Sequence, residues 1–382
     1  MKKTKSNKGI TLVVLVVTIV ILLILAGISI STLTNTEIFS KTKEAKQKAE
    51  NAQKEQENMI IKYEKELNKY EADVLTSKKM NIVLSKNENT VVKDLYGNIF
   101  TVPAGFKVTS DAITVDKGIV IEDATSAPTA GSQFVWIPVG TVYTDIEHTE
   151  EKKKTIHLGR YEFDEKTGVQ SNYSGDFFEE DKGNKNETLK NWNNTIAKNI
   201  TKFKESVMIN EGYYIGRYEA RTEIARKDRS APITQITEKG IDPIYNFISQ
   251  IDAAQLSQNM YNSNNFTSDL SNSYAWDTAT LFLQTCGNNR TPYSRQIRLN
   301  DALMQTGTNT LTDTSKIDKQ CNVYDMAGNL IEWTTETSND PEYSGVLRGG
   351  NYLYDFQYTG YRINWNVNGN YIDYGFRPIL YF

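Results

Sequence analysis

The spacing of apolar residues changes character along this chain. Lys2, Lys3, Lys5 and Lys8 form a basic leader, and from Gly9 to Thr36 there is then no charged side chain. Residues 10–30 read ITLVVLVVTIVILLILAGISI. As a helix, that stretch rises about 31 Å, the thickness of a hydrocarbon core. The pattern predicts a transmembrane helix over 10–30, its Lys-rich end cytoplasmic and residues 37–382 outside the cell membrane. From Glu37 to Lys79 the composition turns to Lys, Glu, Gln and Ala. Ala45, Ala49, Ala52, Met59, Tyr63, Leu67, Tyr70 and Val74 recur at spacings of three, four and seven. That is a narrow apolar seam on a charged helix, expected to extend outward as a stalk.

From Met80 the spacing shortens to β-branched and aromatic runs broken by Gly, Asn and Pro. Strands are expected at 81–84, 90–92, 98–102, 106–108 and 118–121, with DLYGN and VPAGF as turns. QFVWIPV (133–139) is a continuous apolar run, expected to be buried on both faces. YYIGRY (213–218) reads as another strand, and 253–261 and 276–284 have helical spacing. Residues 144–204 are polar and read as an insertion or surface excursion. The expected organisation is a leader at 1–9, a transmembrane helix at 10–30 and a stalk helix at 31–79. A β-rich lead-in at 80–132 and a head at 133–382, interrupted by the 144–204 insertion, complete it.

Composition narrows the chemistry. A net charge of −4 argues against nucleic acid as a partner. His148 and His157 are the only histidines, both in polar stretches, which disfavours a His triad or a His-ligated metal. Cys286 and Cys321 are too few for a disulfide framework; one disulfide and two buried thiols both stay open. Tyrosine is abundant, 22 residues against 8 prolines, so its placement matters.

Three C-terminal segments carry most of the signal: NVYDMAGNLIEW (322–333), VLRGGNY (346–352) and GFRPILYF (375–382). Ala327-Gly328-Asn329 is a tight turn flanked by Asp325 and Glu332, whose oxygens could hold a hard cation. Gly349-Gly350 permits close backbone approach, and Arg348 and Arg377 can each grip a carboxylate or carbonyls in a planar fork. Between RGG and GFR, residues 351–374 hold six Tyr and five Asn in 24 positions. Binding loops favour that mixture of rigid aromatic area and adaptable amides. The candidate ligand-binding residues are Asn351, Tyr354, Asp355, Phe356, Tyr358, Asn364, Trp365, Asn366, Asn368, Asn370, Tyr371, Asp373 and Tyr374. Leu353, Ile363, Ile372, Arg348 and Arg377 are assigned to the scaffold.

Several of these patterns resemble known families. YDMAGN-x-x-EW, RGG and a terminal GFR, with FVWIPVG and YYIGRYEA upstream, resemble the formylglycine-generating (sulfatase-modifying factor) enzymes. The resemblance implies an α+β, C-type-lectin-like head with short antiparallel strands. It also implies a structural calcium on Asp325 and Glu332 with the Gly328 and Leu330 carbonyls. That family's copper-binding cysteines fall on Tyr354 and Thr359, so neither copper nor oxidase activity is expected. The Tyr/Asn segment resembles the variable region of proteins diversified by retroelements. Trp365 and Gln357 cannot arise from an Asn codon by changing adenines.

The leader, Gly9, Ile10 and the apolar run resemble the type IV prepilin signal. This implies cleavage after Gly9 by prepilin peptidase and methylation of Ile10. Val14 stands where that family usually carries a Glu for subunit assembly. The implied partners are the membrane, prepilin peptidase, other pilin subunits and a surface ligand, protein or glycan. The leading expectation is a single-pass, pilin-like display protein without catalysis. An exported formylglycine-type oxidase and a purely structural minor pilin subunit are the alternatives.

Overall fold

The structure is a computed structural model that describes residues 37–125, 128–164, 167–180, 200–287, 319–351, 353–354 and 357–382. The leader, Gly9, Ile10, the expected transmembrane helix, Asp355 and Phe356 lie outside the described residues. Two compact units divide the chain, one ending at Glu64 and one running from Lys65 to Phe382.

The expected fold class requires correction. In place of an α+β protein led by a transmembrane and stalk helix, the described chain is mostly β with four α-helices. Among the described residues no helix is long and apolar enough to cross a membrane. Helix α1 (Glu37–Glu71) has the length, but Lys and Glu recur on it throughout, and hydrocarbon excludes such charges. The expectation of a single-pass membrane protein is not supported and is dropped. The helix is also shorter than the expected 31–79 stalk: a short strand at Asp73–Val74 and a 3-10 turn at Ser77–Lys79 follow it.

Among the described residues the two largest of the second unit's sheets frame the site. Their strands are β1 (Phe106–Val108), β2 (Val120–Asp123), β3 (Gln133–Pro138) and β4 (Phe178–Glu179). There follow β5 (Gly212–Gly216), β6 (Thr267–Leu270), β7 (Ile331–Ser338), β8 (Gly345–Arg348), β9 (Arg362–Trp365), β10 (Tyr374–Phe376) and β11 (Pro378–Tyr381). The first sheet is antiparallel in the order β6-β11-β5-β3-β2-β1. Its middle strands are the two apolar runs, QFVWIP and GYYIG, paired Tyr214 to Trp136. A central strand covered on both faces needs such continuous apolar sequence. Trp136 and Tyr214 meet edge to face at 5.0 Å, and the Tyr214 hydroxyl donates to the Thr101 carbonyl at 2.8 Å.

The second sheet runs β4-β7-β8-β9, with β10 parallel to β7. Helix α4 (Ser273–Cys286) braces it. Asn272 caps that helix by accepting the Ala275 N–H at 2.9 Å. Almost all of α4 is buried, Trp276 and Asp277 included. Helices α2 (Ile200–Asn210) and α3 (Gln250–Gln258) complete the set.

Two local expectations fail. Residues 81–84 form no strand: Asn81 has φ 59° and only Val83 makes a bridge, to Lys107. The 144–204 stretch is more than a surface excursion. Ile156, Tyr161 and Phe163 are buried in the core, and β4 pairs with the end of β7. Its polar composition hid this because Arg160 and Glu180 enter the interior as hydrogen-bonded charges.

Candidate ligand-binding face

Within the segment between RGG and GFR, β9 pairs with β8 and β10 with β7, so the second sheet holds its middle and its C-terminal end. A buried charge network underlies it. The Arg348 guanidinium donates to Asp277, to Glu336 Oε2 at 3.4 Å and to the Tyr361 carbonyl at 3.2 Å. Arg362 donates to Glu336 Oε2 at 2.9 Å and to Asp277 Oδ2 at 3.0 Å. Arg160 reaches the other Glu336 oxygen and holds the Phe178 carbonyl at 2.9 Å. Burial pushes the Glu336 carboxyl up, but Arg362, Arg348 and Arg160 outweigh it and hold the group at about 2. Tyr173 faces two of these guanidiniums, with Arg160 at 4.5 Å and Arg362 at 4.7 Å from its ring. Gly349 makes the turn possible. Its φ is +77°, and a Cβ there would lie 2.8 Å from the Met326 carbonyl oxygen.

On this base stands a ladder of aromatic rings. Buried Trp333 meets Tyr374 at 5.5 Å, Tyr374 meets Tyr371 at 5.0 Å, Tyr371 meets Trp365 at 6.4 Å and Trp365 meets Tyr343 at 5.7 Å. The ladder starts in the core and ends in solvent, where Tyr371 and Tyr343 are each 37% exposed. Arg229 lies 4.2 Å from the Tyr371 ring centre.

The candidate residues divide by burial. Tyr354, Asn366, Asn368 and Tyr371 are exposed, and Tyr358, Asn364, Trp365 and Asn370 are half-buried. Asn351, Asp373 and Tyr374 are buried and belong to the support. The Asn351 amide donates to Asp373 Oδ2 at 2.7 Å, and the Asn351 backbone N–H donates to Gln357 Oε1 at 2.9 Å. This side-chain clasp joins the two ends of the segment across the ladder. Among the assigned scaffold residues, Arg348 and Arg377 are fully buried, Ile363 and Ile372 half-buried, and Leu353 is 44% exposed. Tyr343 and Arg229 were not among the candidates. Nothing in the sequence brings them to 351–374; the β8–β9 register, Gly345 opposite Trp365, does so for Tyr343.

The turn expected to hold calcium is built on left-handed backbone. Asp325 and Asn329 both adopt positive φ, 57° and 68°. Arg377 grips both oxygens of Glu332, at 2.7 and 3.2 Å. Glu219 accepts the Leu330 N–H at 2.8 Å and the Asn329 amide. Among the described residues no group of three or more His, Cys, Asp or Glu side chains is placed to hold a metal ion. In the set Asp325, Gly328, Leu330 and Glu332, calcium would compete with the Arg377 guanidinium for the Glu332 oxygens. The melting temperature is expected to be the same in millimolar calcium and in chelator. A calcium-dependent rise abolished by Asp325→Ala would contradict this.

The same cluster predicts a pH dependence. Burial lifts the Glu219 carboxyl, Glu332 beside it lifts it further, and Arg377 and Arg221 only partly offset them, leaving it at about 8. An unfolded glutamate ionises near 4.5. Between about pH 4.5 and 8 the unfolded chain therefore gives up a proton that the folded chain keeps. This contribution to stability is complete below pH 4.5 and is lost as pH rises through about 8. Glu219→Gln should flatten the decline in urea denaturation midpoints across that window. An unchanged slope would show that Glu219 is ionised in the fold.

No family model and no curated protein matches the chain. Among solved structures the chain is similar to Treponema denticola variable protein 1, with a TM-score of 0.32 and 12% identity over 67% of this chain and 98% of that one.

Proposed function

We infer that this chain is a non-catalytic binding protein whose Tyr/Asn-rich C-terminal face engages a macromolecular surface ligand, protein or glycan. The aromatic ladder carries the inference. Tyr371, Trp365 and Tyr343 present rigid apolar area to solvent while Trp333 and Tyr374 anchor them from behind. Exposed Tyr354, Asn366 and Asn368 add hydrogen-bonding groups. Rings of this kind bind at low entropic cost because their rotamers are already fixed by packing.

The burial pattern also supports diversification of the face. The exposed Tyr and Asn positions are reachable from Asn codons, whereas Gln357, which is not, is buried and holds the Asn351 backbone, and Trp365, also not reachable, is a fixed half-buried ring of the ladder. Non-catalysis rests on Tyr354 and Thr359, which carry no thiol. The Thr359 carbonyl accepts the Trp276 indole N–H at 2.8 Å, which is a packing role. The full chain incubated with copper and a cysteine-bearing sulfatase peptide is expected to yield no aldehyde, and turnover would refute the reading.

Immobilised full-length chain screened against a glycan array and a library of displayed proteins tests the binding itself. Saturable binding that disappears in Tyr354→Ser/Tyr371→Ser is expected. Saturable binding indifferent to both substitutions would place the site elsewhere.

A further inference from the structure

Cys286 is the last residue of α4, and Cys321 lies in the turn between the short strands Lys319–Gln320 and Val323–Tyr324. Both line one cleft of about 370 Å³, together with Lys117 and Lys319. Their chain neighbours are pressed together: a Cβ on Gly287 would lie 2.1 Å from Gln320 Oε1. Asp116 and Lys117 bring both thiols to the same place. The Cys321 thiol donates to the Asp116 carbonyl at 3.6 Å, and the charges of Asp116 and Lys117 act on both sulfurs. The Cys321 backbone is fixed, with φ +43° and its carbonyl against Gly118, where a Cβ would sit 1.8 Å away. Burial pushes the Cys286 thiol up to about 12 and Cys321 higher. Each is therefore protonated and slow to react alone at neutral pH, and Lys117 opposes burial at both.

We propose that Cys286 and Cys321 are a dithiol–disulfide pair whose oxidation ties the C-terminal end of α4 to the 319–324 hairpin. The reaction is exchange with a small organic disulfide. The thiolate of one cysteine attacks a reagent sulfur, breaks the reagent S–S bond and releases one reagent thiol. The second cysteine then attacks the protein sulfur of that mixed disulfide and releases the other. Two protein thiols become one S–S bond; their two protons and two electrons leave on the two reagent thiols. The bond closes residues 287–320 into a loop and restrains the unfolded chain, the usual source of disulfide stabilisation. It also fixes α4, which supplies Asp277 to the arginines beneath the aromatic face.

The test treats the native full-length chain with glutathione disulfide, then unfolds it and alkylates the remaining thiols for mass analysis. The expected product has no alkylated cysteine, a single linked peptide pair joining Cys286 to Cys321, and a melting temperature several degrees higher that dithiothreitol reverses. In Cys321→Ser no link should form, and Cys286, slow to react alone, should stay largely alkylatable. If that variant does not fold, the wild-type mass result decides alone. Two separate glutathione adducts, two alkylatable thiols after native incubation, or a linked form no more stable than the reduced one would each overturn the proposal.

Discussion

Replacing Arg377 by leucine is expected to lower the stability of the fold by about 3–5 kcal/mol, the usual consequence of removing one partner of a buried ion pair. Arg377 is fully buried. Its guanidinium donates to both Glu332 oxygens, to the Gly216 carbonyl at 2.9 Å and to the Tyr324 carbonyl at 2.9 Å. These contacts join the first sheet, through β5, to β7 of the second. Leucine would leave the Glu332 carboxylate and two carbonyls dry and unpaired. It would also remove a cation that offsets burial at Glu219 and Glu238. Lysine should not rescue, because one ammonium cannot serve four acceptors spread around a planar fork. Glu332→Leu in the same chain should restore part of the loss, since removing both partners spares the uncompensated charge. Urea denaturation checks all three variants. A loss under about 1 kcal/mol for Arg377→Leu would mean that the pair is solvated.

Arg377 and Arg348 were legible from sequence as scaffold residues because each guanidinium can grip a carboxylate or backbone carbonyls in a planar fork. QFVWIPV and YYIGRY were legible as strands from their apolar runs, and the structure pairs them. Helices α3 and α4 appeared within a few residues of their apolar spacing. What stayed hidden involves contacts across sequence distance between polar residues. Asn351 and Asp373 read as binding residues by composition, yet they pair with each other and are buried. The polar 144–204 stretch gave no sign that Arg160 would complete the cage around Glu336. Tyr343 sits in a turn of ordinary composition, and only the strand register brings it to Trp365. Around the turn expected to hold calcium, too, no local pattern shows that Glu332 is gripped by an arginine 45 residues away.

The second large effect concerns the face. Combining Tyr343→Ser, Tyr354→Ser, Asn368→Ser and Tyr371→Ser should abolish ligand binding. Aromatic hot spots contribute about 2 kcal/mol or more each, so three of them amount to a loss of over a thousandfold. The same four changes should leave the fold nearly intact. Exposed positions usually cost within about 0.5 kcal/mol apiece, and only Tyr371 gives up ring contacts on both sides. Asn351→Ala is the opposite control, because it opens the clasp and leaves Asp373 buried without its donor, at a cost of about 1–3 kcal/mol. The most direct measurement places the four-fold variant, Asn351→Ala and the parent chain side by side, recording melting temperature and affinity for one ligand selected on the parent. The account predicts a four-fold variant that melts with the parent and does not bind. A four-fold variant that unfolds, or one that folds and binds as the parent does, would contradict it.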